Sequence, residues 1–210
     1  MASLFVGSLV QFYTLPSAAG VEELGAAVRR WWDDLQGHLE DHLQEPLPPV
    51  NDRATPAQFK LPSAALRGAK LLAAYSENNE LPWPDDLPKS LEADPAWQIT
   101  AEGDFRKTRF AQVLIPQCWL PGDFSFTSQQ GMPDGNEMVL GSLVGLCQQL
   151  HTLNQTTVQL GPWQMEQLAA LPSTHEGKEF LRWAELGIAL LSVAADRAQR
   201  LGQLLIIHNP

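Results

Sequence analysis

The chain has 210 residues, 44% of them apolar and 18% charged, with 24 acids against 14 bases and a formal net charge of −10. That length suits one domain with a real core, and the apolar fraction excludes a disordered chain. Affinity for nucleic acid rests on Lys and Arg neutralising phosphates, so the charge balance argues against a nucleic-acid ligand and against attraction to anionic membranes. The local basic groups are small: Arg29–Arg30 lies beside Asp33 and Asp34, and Arg106, Lys107 and Arg109 form the other.

Leu4, Val6, Ser8, Val10 and Phe12 alternate with other residues and predict an opening strand. The run is apolar, and Ser17-Ala18-Ala19 has the look of a cleavage site, but no Lys or Arg precedes the run and Gln11 interrupts it. A strand rather than a secretory leader is therefore expected. Apolar residues at Val21, Leu24, Val28, Trp31, Trp32, Leu35, Leu39 and Leu43 then predict a helix over 21–43, stopped by Pro46, Pro48 and Pro49. Residues 46–62 read as an ordered, proline-studded connection. Ser63 is expected to cap a helix over 64–77, closed by Asn78-Asn79. Leu81 to Pro88 reads as a second ordered loop, followed by a short helical turn over 89–94.

The middle predicts a β-meander: Phe110–Ile115, Trp119–Ser128 and Asn136–Leu140, with a turn at Met132-Pro133-Asp134-Gly135. Ser142 then caps a helix to Asn154, Pro162 opens a short one to Leu171, and a long one covers 176–201. That last helix is apolar almost all round, which predicts burial; its polar seam is Lys178, Glu185, Ser192 and Asp196. Leu204–Ile207 closes the chain as a buried strand. The fold expected is a single α+β domain: a small mixed or antiparallel sheet packed by about five helices, the long C-terminal helix buried. Elsewhere no apolar run is long enough to span a bilayer. Cys118 and Cys147 sit among apolar neighbours and read as reduced core thiols, as expected of a cytoplasmic chain.

No P-loop, G-x-G-x-x-G, G-x-S-x-G, H-E-x-x-H or paired C-x-x-C is present, and no cofactor is expected. Residue types that carry chemistry do occur at suggestive spacing. His38 and His42 lie four apart on one predicted helix, as metal ligation requires, in an H-x-x-D-H spelling near that of inverted zinc peptidases. Cys147 and His151 share that spacing on another helix, and the four together would make a Cys-His₃ set. Glu185 is a candidate carboxylic acid of raised pKa in a pocket. Trp83, Trp97, Trp119 and Trp163 all stand beside prolines, and stiffly held tryptophans are the composition of protein-recognition anchors.

Two functions are weighed. The first is a non-enzymatic acidic protein that binds another protein with a basic surface, as an inhibitor, immunity factor or assembly accessory, with Trp83 and Trp97 as contact residues. The alternative is a metal-dependent enzyme, such as a hydrolase, built on His38 and His42.

Overall fold

The computed structural model describes residues 2–14, 21–39, 41–43, 45–105, 107–170 and 177–208, with backbone alone for 21–24. In chain order the elements are β1 (Ser3–Gly7), α1 (Leu9–Thr14), α2 (Val21–Leu39), β2 (Ala57–Lys60), α3 (Ser63–Glu77), α4 (Pro95–Ala101) and α5 (Ala111–Leu114). There follow β3 (Cys118–Leu120), β4 (Ser128–Gly131), β5 (Glu137–Ser142), α6 (Leu143–Thr156), α7 (Pro162–Ala170), α8 (Phe180–Leu201) and β6 (Leu204–His208). The architecture is α+β, with eight helices among the described residues rather than about five. None of the helices is long and apolar enough to cross a membrane.

All six strands join one mixed sheet in the order β2-β1-β6-β3-β5-β4. β1 runs antiparallel to β2 and β6, β6 antiparallel to β3, and β4 antiparallel to β5, while β3 and β5 are parallel. Both faces are covered. Leu4, Val6, Trp119, Leu205 and Ile207 point toward α3, α6 and α8. Phe5, Cys118, Leu120, Leu140, Leu204 and Ile206 point toward α2, with Leu47 and Phe124 closing that side. Double coverage explains why these strands read as continuous apolar runs.

The opening strand is shorter than predicted. Ser8 and Gln11 form a capping box, the Gln11 amide donating to Ser8 Oγ at 3.2 Å and the Ser8 amide to Gln11 Oε1 at 2.9 Å, so Val10 and Phe12 belong to α1. α2 ends at Leu39, not Leu43; the amides of His42 and Leu43 turn back onto the Leu39 carbonyl. The proline-rich connection contains an edge strand, β2, and α3 is preceded by Pro62 as its N-cap rather than capped by Ser63. Phe110–Ile115 is not a strand but frames the helical turn α5, and the meander dissolves: β3 is three residues, halted by Pro121, and pairs parallel with β5. Over 89–94 only a single turn forms, the Asp94 amide donating to the Leu91 carbonyl at 3.0 Å; a helix not predicted, α4, follows it with Asp94 as N-cap. Ser17–Ala19, Leu171 and the predicted helix start at Glu176 lie outside the described residues.

Other expectations hold. The Gly135 amide donates to the Met132 carbonyl at 2.9 Å and Gly135 has φ +83°, so the β4–β5 turn is as the sequence implies. Ser142 caps α6, accepting from the Gly145 amide at 2.9 Å. α8 is buried along most of its length, between α3, α6 and α7, and stops at Gly202 in the left-handed region.

α3 and α8 approach backbone to backbone. A β-carbon on Gly68 would lie 2.6 Å from the Ala184 nitrogen, and one on Gly187 would overlap the Ala65 carbonyl oxygen. Both glycines are there because nothing larger fits. Gly68→Ala and Gly187→Ala should therefore each cost about 3 kcal/mol, an overpacking penalty, read as a lowered urea midpoint at unchanged m-value. Gly37 in α2 has nothing within 4 Å of such a carbon. Gly37→Ala should instead stabilise by about 0.5–1 kcal/mol, since glycine is the poorer helix former.

Candidate functional site

Residues 78–105 build one end of the molecule, over the C-terminus of α3. Asn78 pins α4 there, its Nδ2 donating to the Ala74 carbonyl, the Ala96 carbonyl and Thr100 Oγ1. Asp94 is buried; its Oδ1 accepts the Ala96 and Trp97 amides at the start of α4, and its Oδ2 accepts the Tyr75 hydroxyl at 3.0 Å. The loop 81–88 is ordered, as expected. The Leu81 amide donates to Asn78, the Leu87 amide to the Lys178 carbonyl, and the Asp85 carbonyl accepts from Phe180 at the head of α8.

That scaffold presents Trp83, whose ring meets Phe180 edge-on at 6.4 Å and stays 42% exposed. Trp97 is half-buried against Phe105. Ile99 on α4 and Leu181 beside Phe180 are exposed at the same end, at 48% and 40%. Neither was singled out from the sequence, and no spacing marks them; only the packing of α4 and α8 turns them outward. Seven acids and a single base, Lys89, lie between positions 78 and 105. Of these, Glu80, Asp85, Asp86, Glu92, Glu102 and Asp104 are exposed. The remaining tryptophans divide. Trp163 on α7 is 68% exposed, whereas Trp119 is 1% exposed and its indole donates to the Gln112 carbonyl at 2.8 Å.

The four metal-ligand candidates are not brought together. His38 and His42 are exposed on the α2 side, His38 Nδ1 lying 2.8 Å from the Asp34 carbonyl oxygen and His42 beside Phe126. Cys147 packs on the α3–α8 side of the sheet, and His151 is exposed on its helix, α6. The predicted Cys-His₃ set fails because the sheet stands between its halves. Among the described residues no group of three or more His, Cys, Asp and Glu could hold a metal ion. Burial also pushes the Cys147 thiol up to about 11 and that of Cys118 to about 12, away from the thiolate form that ligates and attacks. Glu185 faces α7 in an open trough beside Trp163 and Gln164; partial burial raises its carboxyl, and Arg182 opposes the rise.

The chain matches no protein-family model, no curated protein and no solved structure among those compared.

One further titratable group is partly buried. Lys70 on α3 donates from Nζ to the Leu114 carbonyl at 2.6 Å, at the end of α5, and burial lowers its pKa to about 8 from 10.5. Because the folded value lies below the unfolded one, the unfolded chain binds more protons between about pH 8 and 10.5. Charged Lys70 thus costs stability below pH 8, and the cost fades as pH rises through that window. Lys70→Met removes it. The variant's stability relative to the parent should fall by about 1–3 kcal/mol between pH 7 and pH 10.5, residual solvent contact holding the change below full linkage. Urea midpoints of both proteins across that range check this, with titration of the two cysteines cancelling in the difference.

Proposed function

We propose that this protein acts by binding another protein, one presenting a basic surface with an apolar recess, through the acidic end formed by residues 78–105. The observation that carries the reading is the setting of Trp83: a large ring, substantially exposed, on a loop stiffened by Pro82 and Pro84 and fastened at both ends, within a stretch of seven acids and one base. A preordered aromatic side chain loses little entropy when it enters a pocket, and tryptophan is the residue most enriched among binding hot spots. The surrounding carboxylates supply long-range attraction to a basic partner and hold off acidic competitors. Trp97, Ile99 and Leu181 extend the apolar area around the anchor.

The roles separate kinetically. With a partner isolated by cross-linking at native expression level, association should slow as salt is added while dissociation changes little. Trp83→Ala should speed dissociation by about 10- to 100-fold, the mark of a lost anchor, at an unchanged melting temperature. Asp85→Asn with Asp86→Asn should reduce the salt dependence of association. Unaltered dissociation in Trp83→Ala, with loss of binding in Trp163→Ala instead, would move the interface to α7 and defeat the assignment.

A further inference from the structure

The α2 face of the sheet is not covered to its end. Where β6 finishes, an open cleft of about 670 Å³ lies between α1 and the β4–β5 hairpin, a size ordinary for small-molecule sites. Its aromatic side is a cluster centred on Phe12, whose ring meets Phe5 at 5.2 Å, Tyr13 at 5.1 Å and His208 at 5.3 Å, each edge-on. Its opposite side carries two carboxylates, Asp134 and Glu137, and no Lys or Arg is among the described residues that line it. Both carboxylates are preset: Asp134 accepts the Asn136 amide at 3.0 Å and the Asn136 Nδ2 at 2.9 Å, and Glu137 Oε2 accepts from Gln129 at 2.6 Å.

Tyr13 joins the two sides. Its hydroxyl is shut off from solvent and faces the Asp134 carboxylate. Burial, with the Asp134 charge second, pushes its pKa further above the usual tyrosine range, so it stays a neutral donor and acceptor.

We infer that this cleft binds a small organic cation carrying an apolar or aromatic group: the ammonium beside Asp134 and Glu137, the apolar part on the Phe5, Phe12 and His208 rings. Two carboxylates with no Lys or Arg beside them repel phosphates and carboxylates and attract cations. Aromatic walls add cation–π attraction and contact area. This inference is independent of protein binding at residues 78–105.

Calorimetric or NMR titration with phenethylammonium tests it, against 3-phenylpropionate as the anionic analogue and N-acetylphenethylamine as the neutral one. Saturable binding of phenethylammonium is expected, with both analogues at least tenfold weaker. Asp134→Asn should weaken binding at least tenfold. Glu137→Gln, away from the Met132–Gly135 turn, gives the same electrostatic test should Asp134→Asn fail to fold. No saturable binding of phenethylammonium, equal binding of the neutral analogue, or affinity unchanged in both carboxylate variants would overturn the assignment.

Discussion

The contact between α3 and α8 at Gly68 and Gly187 sets the positions of almost everything else. Side chains normally hold packed helices about 8–10 Å apart. Here each helix has given up a β-carbon where the other's backbone passes, at Ala184 and at Ala65. The pair runs antiparallel, so the end of α3 meets the beginning of α8, and Tyr75 packs on Phe180 with ring centroids 5.9 Å apart. From that junction the loop carrying Trp83 and the cap of α4 take their anchors. At the far end of α8 the chain turns at Gly202 and enters β6 directly, which fixes the second-face residues Leu204 and Ile206 beneath α2.

A second constraint holds the other half of the sheet. Gln112 is buried and spends its polar groups on four separate segments: its side chain donates to the Phe126 carbonyl and accepts the Ser142 amide, its carbonyl takes the Trp119 indole, and its amide reaches Gln149. Ser142 extends the network to Gly122 and to the first turn of α6. A buried network of this kind is stabilising when every member is satisfied. It explains how a three-residue strand, β3, supports parallel pairing with β5, the arrangement that the sequence made hardest to foresee.

Legibility in the sequence followed how local each cause is. Elements announced by their own residues were readable: α6 from Ser142, the β4–β5 turn from Pro133-Asp134-Gly135, α8 from a surface apolar almost all round. Two missed elements also had local signals, the Ser8-x-x-Gln11 box for α1 and Asp94-Pro95 for α4, which alternation and proline content masked. Phe110–Ile115 was not decidable locally, because six apolar residues suit a buried helical turn and a strand equally. The sites divide in the same way. A tryptophan between prolines marked Trp83, yet Trp119, which also has a proline close by in Pro121, is a core residue, since burial depends on Gln112 coming from another segment. The cleft had no signature at all: Tyr13, Asp134 and His208 come from both ends of the chain and its middle, and only the order β1-β6-β3-β5 brings them together.

Charge placement gives the acidic end its meaning. A chain that carried negative charge for solubility alone would gain by spreading it, since like charges within a Debye length of about 8 Å repel and destabilise the folded state. Instead the 28 residues from 78 to 105, with seven acids and one base, hold a net −6 of the chain's −10. Asp94 accounts for one of the seven structurally, because its carboxylate caps α4 and receives Tyr75. The six exposed acids surround apolar residues that folding has left outside the core. A cluster of like charges lowers stability and an exposed aromatic ring forgoes the gain of burial; on the proposed reading, an oppositely charged, concave protein surface relieves both at once.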